Sequence, residues 1–159
     1  MPIPDFDPAT GYLPPGIHLA TLAEVYDIYS YNYKRRQHLA GLAHVAEQLY
    51  EKAVTRIFLY GSFVTAKERP RDIDVVYIPP EGTDPDTWGH LAPINRKTLK
   101  RVHHVDLWPY PSPQERRPPT VSMPNPTVTF KIVPILQFFQ EDRNGIEKGI
   151  IELTTGEDQ

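Results

Sequence analysis

The stretch RIFLYGSFVTAKERPRDIDVVYI, residues 56–78, decides the fold of this 159-residue chain. Its first part, residues 56–60, is a short and almost wholly apolar run that ends at Gly61, which is typical of a strand covered on both faces. A second apolar run, residues 72–78, ends where two prolines follow. Because prolines cannot continue a central strand, they fix the end of this run. The pattern predicts two central strands of one α/β domain.

Two aspartates, Asp72 and Asp74, open the second of these strands. Alternate side chains of a strand share a face, so both carboxylates point the same way. Carboxylates side by side at the end of a buried strand repel each other, so either one keeps a proton or a cation lies between them. The chain contains no cysteine, and oxygen ligands favour Mg²⁺ or Mn²⁺ over zinc.

A third aspartate, Asp106, lies in a third predicted strand at residues 104–108. If that strand lies beside the strand at 72–78, three carboxylates converge on one point. Such a triad can hold two metal ions about 4 Å apart, which clamp a triphosphate and activate an attacking hydroxyl. By alternation His104 shares a face with Asp106, where it either assists this site or is a structural histidine, and His103 faces away.

The residues between the first two strands suit phosphate binding. Gly61 allows close approach of the backbone to a phosphate, and Ser62 with the following amides can cradle it. Lys67 and Arg71 lie between the serine and the carboxylates, where they either contact a triphosphate or are solvated loop charges. His18 has no evident partner and is predicted to be structural.

Hydrophobic periodicity predicts the remaining elements. Thr21 and Glu24 predict a capping box at the start of a short helix. The further predicted elements are a helix at 31–53, a helical turn at 63–67, a helix at 86–102 kinked at Pro93, a short helix at 132–139, a turn at Asn144-Gly145 and a strand at 149–153. The predicted apolar face of the helix at 86–102 consists of Trp88, Leu91, Ile94, Leu99 and Val102.

Composition limits the class of protein. The length predicts a single domain over residues 1–159, and the 18 prolines predict an extended arm at 1–20 and a long loop at 109–126. We expect the arm and the C-terminal segment to close or flank a cleft. No apolar run is long enough for a membrane span, and the first ten residues do not read as a secretory signal. A soluble cytoplasmic protein is therefore expected.

The net charge of −3 is unevenly distributed. Residues 31–71 hold eight basic and three acidic residues, which is compatible with a local phosphate-binding site or with nucleic-acid binding through this segment. The run Lys34, Arg35 and Arg36 is equally typical of a solvated helix face. Nucleic-acid binding is the weakest of the functional hypotheses because the helix offers no aromatic platform beyond Tyr31 and Tyr33.

The order and spacing of these groups carry a family resemblance. Leu59-Tyr60-Gly61-Ser62, then Asp72-Ile73-Asp74-Val75 and later Val105-Asp106-Leu107 resemble the nucleotidyltransferase superfamily of the DNA polymerase β type. The nine residues between serine and aspartate are one fewer than in its minimal, antitoxin-like members. A narrower similarity, carried by residues 13–18, 61–67 and 138–151, is to an uncharacterised bacterial family placed in that superfamily.

The resemblance implies a nucleotidyltransferase-like fold, a short mixed β-sheet flanked by helices, and a Mg²⁺-dependent transfer of a nucleoside monophosphate from an NTP to a hydroxyl. Asp72 and Asp74 would ligate both metal ions, and Asp106 would complete the second metal site and help deprotonate the acceptor. Gly61 and Ser62 would hold the β- and γ-phosphates. The acceptor would be a protein or a tRNA, in a toxin–antitoxin or phage-defence setting. The alternative is a catalytically inactive nucleotide- or partner-binding module with the same fold.

Overall fold

The computed structural model describes residues 3–110, 140–142 and 144–155, which form a mixed five-stranded sheet and three α-helices. The strands are β1 (Ile17–Thr21), β2 (Ile57–Tyr60), β3 (Ile73–Tyr77), β4 (Val105–Pro109) and β5 (Ile150–Thr154). The helices are α1 (Leu22–Tyr29), α2 (Tyr33–Glu51) and α3 (Arg96–His103). This α+β architecture confirms the predicted short mixed sheet flanked by helices.

The strands lie in the order β1-β5-β2-β3-β4. β1 is parallel to β5 and β3 is parallel to β4, whereas β2 runs antiparallel to both of its neighbours. The four predicted strands are confirmed as β2, β3, β4 and β5, each to within one residue of its predicted bounds. The condition stated for Asp106, that its strand lies beside the strand at 72–78, is met, because β3 pairs with β4 along its whole length.

The helices cover one face of the sheet, as expected from the sequence. Strand residues such as Leu59 and Val75 join α2 residues such as Leu42 in one large buried cluster. The opposite face carries a smaller buried cluster, which among the described residues contains no helical member: Phe58, Val76, Tyr110 and Ile150. Because side chains alternate along a strand, the carboxylates that begin β3 and β4 lie on this second face.

The first two helices begin at side-chain caps. Thr21 accepts a hydrogen bond from the backbone of Glu24 at 3.1 Å, and the Glu24 carboxylate accepts one from the Thr21 backbone at 2.8 Å. This reciprocal arrangement confirms the predicted capping box. Asn32 caps α2 by accepting a 2.8 Å hydrogen bond from the backbone of Arg35.

The single helix predicted at 86–102 is wrong. Three 3₁₀ turns, Pro85–Thr87, Gly89–Leu91 and Pro93–Asn95, precede α3, which begins only at Arg96. Proline lacks a backbone N–H and is accepted only in the first turn of a helix. Pro85 and Pro93 therefore each start a short turn, and the turn between them begins at Gly89.

The predicted apolar face of this segment is correct only in part. Trp88, Leu91 and Leu99 are buried, as expected. Ile94 is 90% exposed and Val102 is 52% exposed. The broken backbone changes the angular spacing between residues, so a continuous helical repeat no longer describes which side chains face the core.

The N-terminal arm is more ordered than predicted. The last four residues of the expected extended arm, 17–20, belong to β1, an edge strand that pairs with β5. The helical turn expected at 63–67 is instead a 3₁₀ turn over Gly61–Val64. The turn at Asn144-Gly145 is confirmed, since the Gly145 backbone donates to the Asp142 carbonyl at 3.0 Å.

Two predicted segments fall largely beyond what the structure describes. The short helix expected at 132–139 lies entirely outside the described residues, as does the loop expected at 109–126 after its first two residues.

Even α2, the longest helix within the described ranges, lacks the stretch of apolar sequence that crossing a bilayer requires.

Candidate functional site

Strand pairing brings the three predicted carboxylates to one end of the sheet. Asp74 and Asp106 are direct partners in the parallel β3–β4 ladder. Asp72 lies just before β3, and its carboxylate belongs to the same cluster because the Lys100 ammonium contacts both Asp72 and Asp106. On the other side, Asp74 is opposite Tyr60 in the antiparallel β2–β3 ladder. The end of β2 and the starts of β3 and β4 thus meet where the aspartates lie.

Gly61 makes this close meeting possible. It has a φ of +79°, a left-handed conformation that a side chain would strain. A Cβ atom at this position would also collide with the Asp74 carboxylate, whose Oδ2 atom is its nearest neighbour. The glycine predicted to admit a phosphate therefore first admits the Asp74 side chain against the backbone.

Two basic side chains of α3 pair with two of the carboxylates. Arg96 Nη1 lies 2.7 Å from Asp106 Oδ1. Lys100 Nζ lies between Asp72 and Asp106, 3.3 Å from Asp72 Oδ2 and 3.7 Å from Asp106 Oδ2. Because these helical residues are four apart, both side chains lie on the face of α3 that meets β4. The Lys100 ammonium therefore provides a positive charge between Asp72 and Asp106.

Asp74 has a different environment from its two neighbours. No described residue forms an ion pair or a hydrogen bond with its side chain. Burial, followed by the repulsion of Asp72 and Asp106, raises the pKa of Asp74 to about 7, against the smaller opposing effect of Lys100 and Lys148. The carboxyl is thus partly protonated at neutral pH, which is one of the two outcomes expected for crowded carboxylates.

This raised pKa predicts a pH-dependent stability of the metal-free protein. In the unfolded chain Asp74 ionises near its ordinary pKa of 3.8, whereas in the folded chain it keeps its proton until about pH 7. The folded state therefore binds more protons over this interval, and its stability falls as the pH rises from 4 to 8, by on the order of 3 kcal/mol. Urea unfolding at several pH values in EDTA measures this slope.

The variant Asp74→Asn is expected to remove most of that slope and to stabilise the metal-free protein at pH 8. The exposed Asp27 of α1 provides the matched control, because Asp27→Asn should leave the slope as it is. An unchanged slope in Asp74→Asn would show that Asp74 ionises normally in the folded protein.

A cavity of about 410 Å³ lies beside the glycine-serine turn. Its lining includes Ser62 and two lysines, Lys67 and Lys148. The remaining lining residues are Thr10, Gly11, Tyr12, Thr65 and Ala66. Lys148 is also close enough to Asp74 to lower its pKa, so the cavity and the carboxylates belong to one neighbourhood.

The N-terminal arm forms one wall of this cavity, as expected. Its Gly11 carbonyl accepts a 2.7 Å hydrogen bond from the Ala66 backbone, and Tyr12 forms a β-bridge with Thr65. The Tyr12 hydroxyl in turn donates to Asp142 at 2.7 Å. The arm therefore links the turn after β2 to the segment that precedes β5.

Sequence reasoning missed Arg35, whose side chain binds the backbone of the turn that follows β2. The solvated helix face that was one of the two alternatives for Arg35 is wrong, because Arg35 is fully buried. Its guanidinium donates to the carbonyls of Phe63 and Thr65 at 2.9 Å each and to that of Lys67 at 2.6 Å. Arg35 falls on the same helical stripe as Leu39 and Leu42, and this position was the available signal.

The prediction that His104 shares a face with Asp106 is also wrong, whereas the alternative of a structural histidine agrees with its position. It caps the C-terminus of α3 in a left-handed conformation with φ of 62°, so regular alternation starts only at Val105. Its ring lies 4.9 Å from that of the buried His38 and not beside Asp106. His18, predicted to be structural, hydrogen-bonds to the Pro14 carbonyl at 2.7 Å.

The donor atoms at the carboxylate cluster fit a hard divalent cation. The three aspartates offer only oxygen, which Mg²⁺ and Mn²⁺ prefer. Within the residues that the structure describes, no three acidic or histidine side chains are already arranged as a metal shell. Lys100 and Arg96 hold two of the aspartates, so a metal ion would have to displace the Lys100 ammonium, whose side chain is 44% exposed.

Comparison with known proteins gives one family. Residues 4–154 match DUF6932, a family of unknown function. Neither the curated proteins nor the solved structures contain a match to the chain. Since the family match spans nearly the whole sequence, the chain belongs to the DUF6932 family.

Proposed function

We propose that this protein is a metal-dependent nucleotidyltransferase, which moves a nucleoside monophosphate from an NTP to a hydroxyl group of a protein or RNA. One observation carries the proposal: Asp74 is paired with Asp106 across β3 and β4 and lies against Gly61 at the end of β2. This juxtaposition joins a carboxylate cluster to a turn suited to phosphate binding.

The three aspartates would hold the metal. Asp72, Asp74 and Asp106 provide the carboxylates, and bound Mg²⁺ or Mn²⁺ would neutralise phosphate charge and activate the acceptor hydroxyl. Asp74 would give up its proton when the cation binds, because metal ligands must be deprotonated. Asp106 would also help to take the proton of the acceptor hydroxyl.

The cavity beside the carboxylates would receive the phosphates. Ser62 in the cavity wall and the adjacent Gly61 would hold the β- and γ-phosphates, and Lys67 would balance their charge from the same wall. Lys148, which the sequence did not single out, lies in the same wall and would add a second positive charge. Catalysis by these residues would consist mainly of positioning and electrostatic stabilisation.

A second function has its own support. The ion pairs of Arg96 with Asp106 and of Lys100 with Asp72 already neutralise two carboxylates without a metal. A protein that had lost turnover would be free to keep such pairs. This observation favours a catalytically inactive nucleotide- or partner-binding module as the alternative.

Transfer of label from a nucleotide distinguishes the two functions. The protein is incubated with labelled ATP, CTP, GTP or UTP, Mg²⁺ and a cell lysate, and label on protein or RNA is measured. We expect transfer by the native chain and a loss on the order of 10²–10³-fold in the variant Asp72→Asn/Asp74→Asn, as for removal of groups that stabilise a transition state. The exposed Asp86 supplies the control variant Asp86→Asn.

The other outcomes are equally informative. Mg²⁺-dependent NTP binding without transfer would overturn the enzyme and support the binding module. If the native chain bound neither metal nor nucleotide, the enzyme and the nucleotide-binding form of the module would both be wrong.

A further inference from the structure

Histidines gather on the helical side of the molecule, away from the carboxylates. His44 lies on α2, His90 in the 3₁₀ turn Gly89–Leu91 and His103 at the end of α3. The ring centroids of His44 and His90 are 5.5 Å apart, and those of His44 and His103 are 4.4 Å apart. Three separate elements therefore bring imidazoles together, although no role proposed above uses them.

The distance between two of these rings suits a shared metal ion. His44 Nε2 and His90 Nε2 are 3.4 Å apart. This separation is longer than a usual N–H hydrogen bond, whose heavy atoms lie within about 3.2 Å. It matches two nitrogens bound to one tetrahedral zinc ion, which at bond lengths of about 2.0–2.1 Å are roughly 3.4 Å apart.

The surroundings keep these imidazoles available as ligands. None of the ion pairs among the described residues involves a histidine. Neutral imidazole nitrogens favour Zn²⁺, Cu²⁺ or Ni²⁺, in contrast to the oxygen cluster at Asp72, Asp74 and Asp106.

We propose that His44 and His90 bind one transition-metal ion, with Zn²⁺ as the probe that tests it. His103 stacks on His44 with an interplanar angle of 13°, so it is not yet aimed at the same point. This agrees with the finding that no three such side chains in the described ranges already form a metal shell. Rotation of the His103 side chain brings it in as a third ligand, and water completes the tetrahedron.

Such an ion would cross-link the chain. His90 is exposed in a short turn, and the metal would tie that turn to α2 and, through His103, to α3. The site is separate from the proposed transfer site, because its ligands lie on the helical side of the sheet and include none of the three aspartates. Zinc would therefore stabilise the fold even in a variant without the carboxylate site.

Zinc titration of the untagged, EDTA-treated protein tests the proposal, in the background Asp72→Asn/Asp74→Asn so that the carboxylates do not contribute. Calorimetry measures binding, and thermal unfolding measures the stabilisation. We expect a rise in melting temperature of about 5 °C with excess Zn²⁺. Co²⁺ in place of Zn²⁺ should give the visible absorption of a tetrahedral nitrogen site.

Two single variants test whether His90 is a ligand. His90→Ala, at an exposed position that should not disturb folding, is expected to weaken Zn²⁺ binding at least tenfold and to abolish the melting shift. His18→Ala, which removes the histidine bound to the Pro14 carbonyl, is the control and should retain both. Absence of zinc binding in the background protein, or equal binding by His90→Ala, would overturn the site.

Discussion

The variant Arg35→Met should lose about 4 kcal/mol of unfolding free energy, one of the two largest effects expected in this protein. Arg35 is fully buried, and its guanidinium satisfies three backbone carbonyls between residues 63 and 67. Methionine keeps an unbranched apolar stem but donates no hydrogen bond. The three carbonyls would then be left without their donor, and each such loss costs about 1–3 kcal/mol.

Urea unfolding measures this effect, and the adjacent Arg36 supplies the matched control. Arg36 is exposed and its guanidinium donates to the Ser30 carbonyl at 3.0 Å, so Arg36→Met should change stability by less than about 0.5 kcal/mol. Similar losses in the two variants would contradict the assignment of Arg35 as the residue that holds the turn.

The second large effect is expected for Gly61→Ala. Two costs combine at this position: the left-handed φ of +79° and the collision of the new Cβ with the Asp74 carboxylate. Together they should destabilise the protein by about 4 kcal/mol, or force the Asp74 side chain away from β2. Because the displaced carboxylate is a proposed metal ligand, Mg²⁺-dependent nucleotide binding should also be lost.

Gly82→Ala separates the two costs. Gly82 has a nearly equal φ of +82°, but nothing lies within 4 Å of a Cβ built there. This control should lose about 1 kcal/mol from backbone strain alone and should keep nucleotide binding. Unfolding free energies and nucleotide affinities of both variants check the prediction. Equal effects of the two substitutions would mean that Gly61 is required only for its backbone conformation.

The central strands could be predicted because their signals are local. β2 is an apolar run that ends at a glycine, and β3 is an apolar run that ends at two prolines. The local sequence is therefore enough to predict both strands. The alternation of Asp72, Val76 and Ile78 then assigns the face of the carboxylates. Adjacency of β3 and β4 was an assumption that the ladder confirms.

The missed features depend on contacts between distant parts of the chain. β1 pairs with β5, whose residues lie more than a hundred positions away, and nothing within residues 17–21 reveals that partner. The buried Arg35 depends on carbonyls of the turn after β2. Both cases need tertiary structure, since a short edge strand and a charged residue near a helix start have weak local signals.

The sequence contains a signal for the two basic residues that pair with the aspartates. Arg96 and Lys100 are four residues apart, the spacing that places two side chains on one helical face. However, the helix expected at 86–102 had the wrong start. Only when α3 begins at Arg96, directly before β4, does that face meet the aspartates.

Anomalous diffraction from a crystal soaked with Mn²⁺ and a non-hydrolysable ATP analogue tests the central claim most directly. The account predicts a manganese peak bonded to oxygens of Asp72, Asp74 and Asp106, Lys100 displaced from between them, and phosphates in the cavity at Ser62 and Lys67. Lys100 still paired with Asp72 and Asp106, with no manganese at the three aspartates, would contradict it.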